Sequence, residues 1–178
     1  SFNSGQAAIK FQVQFSLKSG ALDTIRIEPG RDPDQKTSLQ DQPLKPGTLR
    51  IADLGYYDTR VFERYEHEKV YWLSRLVCGT NAYNLDGKPL DLLKWLAEKG
   101  PLVDEQILLG TQRKLACRII AWRMPEEVAN RRRQKLMEVH KRKGKMPSAE
   151  RLAWCDWMIL ITNLPTELLS PQEACVIY

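Results

Sequence analysis

Apolar and polar residues alternate over residues 9–17, where Ile9, Phe11, Val13, Phe15 and Leu17 stand against Lys10, Gln12, Gln14 and Ser16. A period of two predicts a half-buried strand. Ser19-Gly20 reads as a turn, and residues 22–28, with Ile25 and Ile27 in step, as a second strand. Together they predict an antiparallel hairpin ended by Pro29-Gly30. Residues 31–47 are a polar connection carrying Pro33, Pro43, Pro46 and Gly47, with a short helix expected near residues 34–40. Leu49 and Ile51 then alternate around Arg50, a short strand that stops at Asp53. Gly55 permits a sharp turn. Asp58 and Thr59 are N-cap candidates for a helix to about residue 69, with Val61, Phe62 and Tyr65 on one face. Residues 70–76 read as another strand.

From Val77 the character changes. Residues 81–89 are turn-rich. Leu90, Leu93, Trp95 and Leu96 form the core stripe of a short helix closed by Gly100-Pro101. Residues 103–109 and 114–122 predict a second hairpin over Gly110-Thr111, with Leu115, Cys117, Ile119 and Ala121 sharing a face. Pro125 opens a long polar helix, and residues 158–163 are again strand-like. Ser170-Pro171-Gln172-Glu173 is a capping box with proline at the first helical position, so a helix starts at Ser170 and still runs at Tyr178.

Composition narrows the class. A chain of 178 residues, 43% hydrophobic and 28% charged, can bury a core as one domain, or as a core with one insertion. Cys78, Cys117, Cys155 and Cys175 form no CxxC pair and lie in apolar runs, so they read as buried thiols of a reducing compartment. His67 and His140 have no partner at metal-ligand spacing and are expected to face solvent on helices. No apolar stretch is long enough to span a membrane and no signal-peptide pattern opens the chain, so a soluble cytoplasmic protein is expected. The chain begins without Met and ends in mid-pattern, which suggests a fragment of a longer one.

The net charge of +5 is local in origin. Residues 113–151 hold thirteen Lys and Arg against four Glu. Such a run is a solvated surface or a phosphate-tracking one, and in the second case Arg131, Arg132, Arg133, Lys135, Lys141, Arg142, Lys143 and Lys145 are the candidates.

Asp53 is the residue to which the other candidates relate. It stands where a strand ends and the chain turns towards a helix, a place where a carboxylate is held by the sheet yet open to solvent. By spacing alone the reading as a turn residue is the stronger of the two. The run Asp53-Leu54-Gly55-Tyr56-Tyr57 resembles the second-aspartate motif of DDE transposases of the insertion-sequence-four family. Val70-Tyr-Trp-Leu-Ser-Arg75-Leu resembles that family's next core strand, and Trp157-Met-Ile-Leu-Ile-Thr-Asn163-Leu the strand leading back to its catalytic helix. The likeness runs from about Phe11 to Tyr178, and the order and spacing of the motifs carry it.

The resemblance implies an α/β fold. Residues 1–76 would belong to an RNase H-like mixed-sheet core, residues 77–165 to a β-rich insertion carrying the basic helix, and residues 166–178 to the start of the helix that bears the catalytic Glu. Asp53 would be the middle of three carboxylates holding two divalent ions, Mg²⁺ or Mn²⁺. The first aspartate would precede Ser1; Asp23, at the hairpin turn, is a poor substitute. Gly30 to Asp34 resembles a Gly-x-x-x-Asp element in which Asp34 is structural, with Asp32 a weaker version. Tyr178 would open a Tyr-x2-Arg-x3-Glu signature and touch the phosphate backbone beside the transposon end, and Arg75 would help position DNA. One of Tyr56 and Tyr57 would pack under the metal site. Some relatives hold a flipped base on an aromatic side chain of the insertion, for which Trp122, Trp154 and Trp157 are available.

The implied function is metal-dependent cleavage and strand transfer of transposon-end DNA. The partners would be terminal inverted repeats and target DNA, and the full-length protein would act as a dimer in the bacterial cytosol, nucleoid-associated. A fragment with one of three ligands is expected to be inactive alone. The alternatives are a non-catalytic nucleic-acid-binding module and a decayed transposase relic.

Overall fold

The alternation at the start of the chain does form a hairpin. Strands β1 (Ile9–Ser16) and β2 (Ala21–Pro29) pair antiparallel, with Phe11 opposite Ile27, Val13 opposite Ile25 and an irregularity at Gln14/Phe15. The computed structural model describes residues 8–178. They divide into a first unit ending at Lys45 and a second, Pro46–Tyr178.

In the first unit the covered face is not the expected one. Phe11, Val13, Phe15, Ile25 and Ile27 are exposed, whereas Gln12 is 2% exposed. The polar connection accounts for this. Asp34 accepts hydrogen bonds from Lys10 Nζ at 2.6 Å and Gln12 Nε2 at 2.9 Å. Glu28 accepts from Thr37 Oγ1 at 2.8 Å and from the Ser38 amide at 2.9 Å. The connection thus bonds to the polar face of the hairpin. It contains no regular helix near residues 34–40 but two 3-10 turns, Asp34–Lys36 and Ser38–Asp41, of which the second is capped by Thr37. The Lys10 and Gln12 hydrogen bonds hold the Asp34 carboxyl below the usual carboxylate range, in keeping with a structural role.

The second unit runs β3 (Leu49–Ala52), α1 (Thr59–His67), β4 (Tyr71–Arg75), β5 (Ala82–Tyr83), β6 (Pro89–Leu90), α2 (Leu92–Lys99), β7 (Leu102–Leu109), β8 (Leu115–Arg123), α3 (Glu126–Arg142), α4 (Ala149–Trp154), β9 (Trp157–Thr162) and α5 (Pro171–Ile177). Its seven strands form one mixed sheet in the order β3-β4-β9-β8-β7-β5-β6. Strands β3 and β4 are parallel, with α1 as the crossover that parallel neighbours require, and the other described pairings are antiparallel. The fold is mixed α/β, consistent with an RNase H-like architecture, and the strands after Val77 extend the sheet that β3 and β4 begin.

Both faces of the sheet are covered. On one, Leu73, Ile120 and Leu160 pack with Leu164, Leu169 and Ala174, joined by Leu49, Ile51, Tyr71, Trp122 and Tyr178. This face lies under α5. On the other, Trp72 stacks on Phe62 of α1 at 4.3 Å and Tyr57 meets Phe62 edge-on at 5.5 Å. Each such buried large side chain contributes about 1.5–3 kcal/mol relative to exposure. Asn163 closes the end of β9, accepting from the Trp72 amide at 2.8 Å and donating to the Val70 carbonyl at 3.0 Å.

Only one of the four cysteines fits the buried-thiol expectation. Cys117 is buried and burial pushes its thiol well up, while Cys78 and Cys155 are half-buried and Cys175 is exposed. The reason for Cys175 is that α5 buries only Ala174, so an apolar run near a chain's end does not imply a covered helix. Likewise, of the expected stripe only Leu96 is buried: Leu93 and Trp95 are half-buried and Leu90 lies before the helix in β6, while the helix's other buried residue is Leu92.

Candidate active site at the ends of the parallel strands

Strand β3 ends at Ala52, and Asp53 follows in extended conformation as the cap of a 3-10 turn, Leu54–Tyr56. Its Oδ1 accepts the Leu54 amide at 2.7 Å, which fixes the side chain, and the residue is exposed. Asp58 then caps α1, accepting the Arg60 amide at 2.9 Å. The strand–Asp–turn–cap–helix order of the sequence is therefore realised residue by residue. The turn role and a ligand role for Asp53 are compatible, because the cap uses one oxygen in a fixed direction.

Arg75 is the last residue of β4, next to β3 in the sheet, so it ends at the same edge as Asp53. Tyr178 reaches that edge from α5. Its hydroxyl donates to the Ala52 carbonyl at 3.4 Å, and Arg75 lies close enough to bear on its ionisation. Burial, then the neighbouring Asp53 charge, push the phenol pKa up, against the pull of Arg75. Three residues singled out from the sequence thus meet at one place. Tyr57 is the tyrosine that packs inwards, against Phe62, while Tyr56 lies near the Arg50 guanidinium.

The basic helix divides into two sets. Arg132 donates to the Trp157 carbonyl at 3.1 Å, and its guanidinium is disfavoured by burial and by the like charge of Arg75. Arg133 bonds Asn130 at 2.5 Å and forms an ion pair with Asp156. Arg132 thus reaches the start of β9 and Arg133 the turn just before it. Arg131, Lys135, Lys141, Arg142, Lys143 and Lys145 are exposed. Elsewhere in the basic segment Arg113 pairs with Glu63, and Arg118 with Asp104.

Sequence reasoning missed Arg118. It is 2% exposed on the α5 face of the sheet, and only its place in the strand alternation with Ile120 could have marked it as inward-facing. Of the three tryptophans beside the insertion, Trp157 is buried, and Trp154 lines a cleft of about 370 Å³ with Tyr83, Leu90, Asp91 and Glu150. Neither Asp53 nor Tyr178 lines that cleft.

Among the described residues, no three His, Cys, Asp or Glu side chains converge in a way that would hold a metal ion. Asp53 is a hard oxygen donor of the kind that Mg²⁺ takes, one or two of which serve together with substrate phosphates. The fit is that of one ligand. No described helix is long and apolar enough to cross a membrane.

The chain is similar to transposases of insertion sequence elements. It is 28% identical over 187 residues to the transposase for insertion sequence element IS231E of Bacillus thuringiensis subsp. finitimus, covering 94% of this chain and 39% of that protein. It is 23% identical over 192 residues to the IS231F transposase of Bacillus thuringiensis subsp. israelensis, covering 97% and 40%. With the IS1151 transposase of Clostridium perfringens it shares 24% over 195 residues, covering 97% and 41%. The chain spans about two fifths of the length of these curated relatives. No family model matches it, and no solved structure matches it significantly. The resemblance to insertion-sequence transposases that the Asp53, Arg75 and Asn163 runs carry thus holds along nearly the whole chain.

Proposed function

We propose that these residues belong to the catalytic region of a DNA transposase of the DDE type, and that Asp53 is the middle carboxylate of its site. The observation that supports this most is the meeting of Asp53, Arg75 and Tyr178 at the ends of the parallel pair β3 and β4. In open α/β sheets the carboxyl ends of parallel strands are where ligands bind.

In this reading Asp53 would help to hold two divalent ions, Mg²⁺ or Mn²⁺, which when bound would activate the attacking water or 3′-hydroxyl and stabilise the leaving oxygen of the phosphodiester, one ion for each role. Arg75 orients the scissile phosphate, a task suited to a planar guanidinium. The Tyr178 hydroxyl exchanges its long 3.4 Å bond to Ala52 for a phosphate oxygen beside the transposon end. Terminal inverted repeats and target DNA are the substrates, and the outward cations of α3 and the turn after it follow their phosphates. A single carboxylate holds Mg²⁺ weakly, so the 178-residue chain alone is inactive; further carboxylates of the full-length protein complete the site, which acts as a dimer on DNA.

The exposed cations of α3 favour one further reading, a module that binds nucleic acid without metal and cleaves nothing. The two separate on one variant. In the full-length protein, Asp53→Ala abolishes strand cleavage of terminal-repeat DNA and leaves binding in a mobility-shift assay intact. Cleavage by that variant at the wild-type rate would refute the catalytic assignment.

A further inference from the structure

We infer that Arg118 is a positioning residue for this site: its buried guanidinium fixes the segment after β9 and, through it, the helix that brings Tyr178 to Asp53. The inference rests on reading Asp53 and Tyr178 as one site.

The guanidinium uses four of its N–H groups. Nε and Nη2 grip Asp104 of β7 at 2.5 and 2.8 Å, and Nη1 donates to the carbonyls of Leu164 at 3.2 Å and Leu169 at 2.7 Å. Those two carbonyls bracket the only chain between β9 and α5. Leu164 and Leu169 are also core residues, at 5% and 4% exposure, so their side chains and carbonyls are held from the same side. The far end of the segment is pinned by Thr162, whose Oγ1 accepts the Leu164 amide at 3.0 Å and donates to the Trp72 carbonyl at 2.6 Å.

From Leu169 the path to Tyr178 is short and stiff. Ser170 follows at once and caps α5 in both directions, its Oγ accepting the Glu173 amide at 3.2 Å while Glu173 Oε2 accepts the Ser170 amide at 2.8 Å. One short helix then ends with the Tyr178 amide bonded to the Ala174 carbonyl at 3.3 Å. A shift at Leu169 therefore carries through to the phenol. A buried ion pair is weak support for stability, since apolar residues of similar volume often replace it without loss. A fork of fixed geometry that ties two carbonyls and a carboxylate together is a matter of position, and lysine cannot reproduce it.

The test uses the 178-residue chain without DNA or metal, so its outcome is independent of the cleavage experiment. Two variants are made, Arg118→Lys, and Arg118→Met combined with Asp104→Leu so that no charge is left buried and unpaired. Carbon NMR of Cζ-labelled tyrosine, with Tyr178→Phe to assign the resonance, follows the surroundings of the Tyr178 ring at neutral pH. Amide exchange follows residues 164–174. The expected result is a native circular-dichroism spectrum, a Tyr178 Cζ resonance that moves to the position of a solvent-exposed tyrosine, and exchange about tenfold faster or more in the segment. A folded variant that keeps the wild-type Tyr178 resonance and slow exchange overturns the inference. Loss of the native spectrum in both variants also overturns it, because Arg118 would then support the whole core rather than one segment.

Discussion

Replacing Asn163 by Leu tests how the end of β9 is tied to the start of β4. The Asn163 amide bonds the Trp72 N–H and the Val70 carbonyl, 91 and 93 residues away in sequence. Val70 and Trp72 are 0% and 1% exposed, so few waters can replace the side chain. Leucine occupies similar space but pairs with neither group. Each buried backbone group left unpaired costs about 1–3 kcal/mol. Asn163 is itself only half-buried, so partial hydration lowers the sum to about 2–4 kcal/mol. For a chain of this size that corresponds to a fall in Tm of roughly 5–15 °C. Urea unfolding followed by tryptophan fluorescence measures it, and an unchanged m-value would show that stability alone has moved. The companion variant Asn163→Asp adds a sign. Its carboxylate still accepts from Trp72 but turns a second oxygen on the Val70 carbonyl, which raises the folded-state pKa above the ordinary value of about 3.9. A raised pKa gives a contribution that is fully present below the unfolded value and lost as pH rises through the folded one. Relative to wild type, this variant therefore recovers stability in acid. A loss below about 0.5 kcal/mol for the leucine variant, or no acid recovery for the aspartate variant, would refute the reasoning.

Alkaline stability follows from one buried and two half-buried groups. The Cys117 thiol and the Tyr57 and Tyr178 phenols are all pushed up from ordinary values of 9.0, 10.0 and 10.0, chiefly by burial. The unfolded chain loses these protons first, so stability is full below about pH 9 and declines above it; urea midpoints between about pH 8 and pH 11 should show the fall, starting later in Cys117→Ala. For DNA binding, replacing Arg131, Lys135, Lys141, Arg142, Lys143 and Lys145 by Gln should lower the slope of log affinity against log salt by about one for each phosphate no longer neutralised, up to roughly five in all, whereas an unchanged slope would remove this surface from the DNA interface.

Local pattern was enough to place much of the chain. The period of two gave β1, β2 and the β7–β8 hairpin, because side-chain alternation is a property of a single strand. The Asp58 cap and the Ser170 capping box formed as read, because a cap needs only residues within one turn. The placing of Asp53 at a strand end was legible for the same reason. The motif order also carried the likeness to insertion-sequence transposases. What lay beyond the pattern depends on partners far away in sequence. Alternation defined two faces of the first hairpin, but the bonds from Asp34 and Glu28 decided that the polar one is covered. Strand β9 could be recognised alone, but pairing fixed its seat between β4 and β8. Arg132 and Arg133 looked like their neighbours on α3 until the sheet end gave them acceptors. Tyr178 and Ala52 are 126 residues apart, and only the packing of α5 on the sheet brings that phenol to Asp53. Periodicity and caps are short-range properties of the backbone, whereas burial and long-range hydrogen bonds exist only once the chain has closed on itself.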